Sequence, residues 1–195
     1  MSSQFKLQSG GRLFLSGVAT ALCFVASAQA WAQAPACRDF SWDVHQERAL
    51  FAGQPQAVQG GTSASATPTV RTDRFYQVQL APQPQVKFVA PPGKVMLADG
   101  AYAGMVKFRV PHSGSYRVSL DAPFWIDVVA DGKLLATQDF SGSRCAGPHK
   151  MVIFNMPAGQ DLWLQISGAR SAQAQIAVTA GSGTQGPAKP GSEAH

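Results

Sequence analysis

The sequence predicts an all-β fold, an antiparallel sandwich or barrel with one short N-terminal helix. Three observations carry that prediction. From Arg74 onward, short apolar or alternating runs recur, broken by Gly, Pro and Asp. Asp131-Gly132 lies between two such runs, a two-residue hairpin signal because both turn positions need positive φ. Pro111-His112-Ser113-Gly114 and Pro157-Ala158-Gly159 mark further turns. Many short strands at regular spacing, with turn signals between them, lead to a sandwich or barrel rather than to an α/β sheet.

The strands are expected near residues 74–80, 85–90, 103–110, 115–121, 124–130, 133–138, 150–156, 161–167 and 173–179. Successive strand residues face opposite ways, so alternation sorts the faces. Val106, Phe108 and Val110 form one inward set; Val118 and Leu120, Phe124, Ile126 and Val128, and Leu162, Leu164 and Ile166 form others. Lys107, Arg109, Arg117 and Ser119 then face outward. The helix is expected over 38–52, where Phe40, Val44 and Phe51 fall close to one helical face and Asp39 or Ser41 is placed to cap the start. Glu47 falls on the same face, which does not suit it. Residues 53–72, rich in Gly, Gln, Ser, Thr and Ala, read as an extended loop.

The two ends of the chain have a different character. Lys6 and Arg12 precede the apolar run Leu13 to Ala28, and small residues alternate in Ala28-Gln29-Ala30 and Ala30-Trp31-Ala32. This is the tripartite pattern of a secretory signal peptide, with cleavage expected after Ala30 or Ala32. The run is short for a membrane span, which needs about 20 residues, so no stable membrane anchor is expected after cleavage. Residues 1–32 are therefore assigned as signal peptide, 33–72 as helix and extended loop packing on the sandwich, 73–180 as the β-sandwich and 181–195 as a disordered tail. The tail is low in apolar content and full of Gly and Pro. The expected location is periplasmic or extracellular.

Charge and cysteines narrow the partners. The whole chain carries a net charge of +5, and losing the signal peptide removes two of those charges. No basic run or basic helix remains, so nucleic acid is not expected as a partner. Of three cysteines, Cys23 leaves with the signal peptide. Cys37 and Cys145 form an even pair in an oxidising compartment and are expected to be bridged. Closing a loop of about 100 residues is worth on the order of 4–5 kcal/mol in the chain-entropy model.

The phrase FRVPHSGSYRVSLDAPFWIDVVADGKLL, followed by MPAGQDLWLQISG, resembles the grammar of secreted jelly-roll and pre-peptidase C-terminal-like β-sandwiches over roughly residues 103–179. That resemblance implies a jelly-roll-like sandwich and a non-catalytic accessory that binds glycans or proteins, or acts as a spacer. The mature chain is also similar to a group of short exported proteobacterial proteins. The shared features are Cys37 and Trp42, the segment Glu47-Arg48-Ala49-Leu50-Phe51, and the stretch from Trp125-Ile126-Asp127-Val128 to Asp131-Gly132. Members of that group are often labelled homogentisate 1,2-dioxygenase, which implies a non-haem iron site.

Such a site needs two His and a carboxylate with open positions. His45-x-Glu47, with His112 or His149, is the candidate set. On a helix, however, positions i and i+2 diverge by about 200°, so no metal and no cofactor are expected. Cys145 near His149 has the elements of an activated thiolate, but a partnered cysteine in an exported chain is a disulfide first. The serines lack the G-x-S-x-G context of an acyl-transfer nucleophile.

The remaining candidate is a ligand platform. Trp125 alternates against Phe124 and Ile126, and Trp163 against Leu162 and Leu164, so both indoles point to outer faces. With Asp127, Gln165 and Arg117 beside them, they form the candidate binding residues for a sugar ring. The expected function is thus an exported, non-catalytic protein with a binding or structural role in the cell envelope, its partner a glycan or an envelope protein. The alternatives are a glycan-binding module and an iron-dependent dioxygenase.

Overall fold

The computed structural model describes residues 38–95 and 100–181. Its order is α1 (His45–Phe51), β1 (Gln56–Gln59), β2 (Phe75–Gln79), β3 (Ala81–Pro82), β4 (Tyr102–Phe108), β5 (Gly114–Leu120), β6 (Trp125–Ala130), β7 (Lys133–Leu134), β8 (Thr137–Gly142), β9 (Lys150–Met156), β10 (Leu162–Ala169) and β11 (Gln173–Ala180). A first sheet runs β1-β2-β11-β5-β9-β8 and a second runs β3-β4-β10-β6-β7. Within them, β2-β11-β5-β9 faces β4-β10-β6-β7, the order of an eight-stranded jelly roll. The fold is a β-sandwich, and every named strand pairing is antiparallel except β1 with β2.

The alternating sets do build the core. Val106, Phe108, Val110, Val118, Leu120, Phe124, Ile126, Val128, Leu162, Leu164 and Ile166 all lie in one buried cluster between the sheets, joined by Phe154, Ile176 and Val178. Fully burying each large apolar side chain is worth about 1.5–3 kcal/mol. Asp131 and Gly132 both take positive φ, 48° and 70°, and close the β6–β7 hairpin.

Three segments depart from the sequence expectation. The run expected as a strand over 133–138 is divided: β7 stays in the second sheet, and the chain then crosses to the first sheet as β8. Residues 53–72 are not simply a loop. β1 extends the first sheet beside β2, and Gly61 and Thr69 then bridge to Met105 and Lys107 at the edge of the second. Residues 85–90 are not a strand. A 3-10 turn at Gln83–Gln85 leads into an extended strap without a sheet neighbour. Pro91 and Pro92 remove two backbone donors that a ladder needs.

The helix is also shorter than expected. Only His45–Phe51 is helical, its N-cap position is Val44, and neither Asp39 nor Ser41 caps it. Instead the Asp43 carboxylate accepts from the His45 N–H at 3.0 Å. Residues 38–51 lie over the outer face of the first sheet. Phe40, Val44 and Met151 pack together with Trp42, and the Phe51 and Phe75 rings lie 4.5 Å apart.

Glu47 resolves its own misfit. It is 1% exposed, and its carboxylate accepts from Thr179 Oγ1 at 2.7 Å and from Arg117 Nη1 at 3.3 Å. The same Arg117 nitrogen donates to the Asp43 carbonyl at 2.6 Å. A charge on the apolar face of a helix is tolerable because the sheet beneath presents its counter-charge. Removing one member leaves the other buried and unpaired, which costs about 3–5 kcal/mol. Glu47→Ala is therefore expected to lose about that much in urea unfolding, while the double variant Glu47→Leu/Arg117→Met recovers most of it. A single variant as stable as the parent contradicts the reading.

Candidate functional site

The outer face of the second sheet carries most of the expected ligand residues. Register places Trp125 opposite Ser167, Asp127 opposite Gln165, and Val129 opposite Trp163. All six project away from the core, as alternation predicts. The two indoles lie four residues apart along the strands, about 13 Å. They do not form one continuous platform, because the strap from Val86 to Val95 crosses the residues between them.

Gln165 is 1% exposed and clips the strap from below. Its Oε1 accepts from the Ala90 N–H at 3.0 Å and its Nε2 donates to the Ala90 carbonyl at 3.0 Å. One side chain thus supplies the two hydrogen bonds that a neighbouring strand would have given. Asp127 does similar work one step along. A single carboxylate oxygen accepts from the Gly93 N–H at 3.1 Å and from Trp125 Nε1 at 3.0 Å. A Cβ at Gly93 would lie 2.9 Å from the other oxygen, so the backbone approaches as closely as only glycine allows. Val86 and Phe88 pack with Ala103 and Met105 under the same strap.

Asp127 and Gln165 are thus occupied in holding the strap. Arg117 lies on the other sheet, buried beneath α1, and is occupied by Glu47. Trp163 is half-buried, and its indole N–H is buried without a partner among the described residues. Trp125 is half-buried at the end of the sandwich. Lys94 Nζ and Lys150 Nζ lie 5.6 Å and 5.5 Å from its ring centroid, within cation–π range. Of the expected set, Trp125 and Asp127 come together, and the two lysines beside them had no signal in the sequence.

Electrostatics at this end are those of a partly dry site. Burial pushes the Lys150 ammonium below the ordinary lysine range, and the charge of Lys94 lowers it further. Burial raises the Asp127 carboxyl above the usual carboxylate range, against the two N–H donors that favour its charge.

The other candidates are separate. His45 is exposed at the start of α1, whereas Glu47 points into the sheet. His112 is exposed in the turn before β5, and His149 lies before β9. Among the described residues no group of three or more His, Cys, Asp or Glu could hold a metal ion. Cys37, residues 1–32 and all of the expected tail beyond Gly181 lie outside the described residues. A scan against protein-family models finds no match, and a search of curated proteins finds no relative.

The raised Asp127 has a consequence for stability. Its folded form holds a proton more tightly than the unfolded chain, so its contribution is fully present below the ordinary carboxylate pKa and is lost as pH rises through the raised folded value. Asp121 is shifted the same way by burial. Asp127→Asn is expected to flatten part of the fall in urea midpoint as pH rises above the ordinary carboxylate range. An unchanged slope contradicts this.

Proposed function

We infer that the protein is an exported, non-catalytic β-sandwich that binds a component of the cell envelope through the Trp125 end of its second sheet. The observation that carries the reading is the contrast between polar groups. Arg117, Asp127, Glu47 and Gln165 are tied into internal contacts, whereas Lys94 is exposed beside a half-buried Trp125 and a half-buried Lys150. A half-buried indole flanked by two cations suits recognition of an anionic or polar partner.

Export rests on the sequence of residues 1–32 and on the expected Cys37–Cys145 bridge. Arg38, the residue after Cys37 in the chain, lies beside Cys145, which supports the expected bridge. Arg144 N donates to the Arg38 carbonyl at 2.9 Å, and Cys145 Sγ sits 3.4 Å from the same oxygen. Among the described residues no helix is long and apolar enough to cross a membrane.

A glycan is the second reading for the partner. It is favoured by Trp125 and Trp163 projecting from one sheet face, although the strap between them leaves each indole to act alone.

The test is fractionation of cells expressing the full chain. The mature protein is expected outside the cytoplasm, beginning at Trp31 or Gln33 by mass, and partly associated with the envelope pellet. Lys94→Gln/Lys150→Gln is expected to release it from the pellet without changing export. An uncleaved cytoplasmic chain contradicts export, and equal release of parent and variant contradicts the binding role of this end.

A further inference from the structure

Beside Trp125 the strap does not lie flat on the sheet. A pocket of about 400 Å³ opens between them, its lining including Pro84, Val86, Phe88, Lys94, Val95 and Ser167. Its size falls within the range of small-molecule sites, and its wall is mostly apolar. Two features distinguish it from a packing gap. Ser167 is 2% exposed, lines the pocket, and its Oγ has no hydrogen-bond partner among the described residues. A buried hydroxyl left unmatched costs about 1–3 kcal/mol, and a ligand oxygen in the pocket would satisfy it. The second feature is the rim. Lys94 both lines the pocket and leans on Trp125, where Lys150 also lies. Among the described residues neither lysine has a carboxylate within ion-pair distance, so two like charges share one indole. Val95, at the mouth, is 90% exposed, an apolar side chain held in water.

We propose that this pocket binds a small apolar molecule bearing a single carboxylate, its apolar body against Pro84, Val86, Phe88 and Val95 and its carboxylate held by Lys94 and Lys150. The charge complement selects the class. An apolar wall alone would take any hydrocarbon, and two lysines alone any anion; the two together favour an amphiphilic acid. Ser167 donates its hydroxyl hydrogen to the ligand. Both ammonium groups lie within cation–π range of Trp125, and its N–H stays with Asp127. The inference deepens the binding role proposed for this end of the sheet and rests on it.

The experiment is titration of the mature, disulfide-intact chain with octanoate, followed by backbone amide NMR. 1-Octanol and inorganic sulfate are the comparison probes. Octanoate is expected to bind saturably, to shift Phe88 and Ser167, and to bind more tightly than either comparison probe. Lys94→Gln/Lys150→Gln is expected to weaken octanoate by roughly tenfold or more and to leave 1-octanol unchanged. Ser167→Ala, a small change in a buried strand, is expected to weaken octanoate more modestly. Sulfate binding as tightly as octanoate would overturn the proposal, because the apolar wall would then have no part. So would octanoate affinity that is unchanged in the double lysine variant, or the lack of any saturable shift at Phe88 and Ser167. Any of these three failures, with envelope association still lost in the lysine variant, leaves the broader binding reading standing and removes only this ligand class.

Discussion

A two-layer sandwich has two outer faces, and the decisive constraint here is how each is covered by a segment that has no sheet ladder to hold it in place. Both coverings depend on a buried polar clip. Glu47 reaches from α1 to Arg117 and Thr179 on the first sheet. Gln165 reaches from the second sheet to both backbone groups of Ala90. These contacts fix where the covering chain sits, because buried polar groups tolerate few alternative partners. The apolar contacts around them, such as Phe51 on Phe75 and Phe88 beside Met105, then fill space in a geometry already chosen.

The candidate site follows from where the second covering ends. The strap is held at Ala90 and again at Gly93 by Asp127, and just beyond that point it brings Lys94 over Trp125. Asp127 links the two roles, since the oxygen that accepts from Gly93 also accepts from the Trp125 indole. Fold and site share one carboxylate. Its displacement would move the strap and the indole together, so the ring and the lysine above it act as one unit.

The core was legible from alternation because each inward residue needs only to be apolar and two positions from the next. Phe124, Ile126 and Val128 illustrate this, and the Asp131-Gly132 turn was legible from φ alone. The coverings were not legible in the same way. Val86, Phe88 and Ala90 alternate as a strand would, yet the Ala90 backbone is bonded to a side chain 75 positions away rather than to another strand. Gln165 looked like an outward polar residue, and by orientation it is one, but the strap buries it. Glu47 looked like a flaw in the helix because its counter-charge lies 70 positions further on. Lys94 and Lys150 belong to unrelated segments, and only the folded sandwich brings them to one indole.

The central claim is that single buried clips hold the coverings in place, and amide hydrogen exchange at Ala90 tests it most directly. In the parent chain the Ala90 N–H, bonded to Gln165 and away from any sheet ladder, is predicted to exchange about as slowly as strand amides in β10. In Gln165→Leu, which keeps an apolar side chain beneath the strap, Ala90 and Gly93 are predicted to exchange much faster while β10 and β6 stay protected. Fast exchange at Ala90 in the parent chain, or unchanged protection in the variant, would contradict the account.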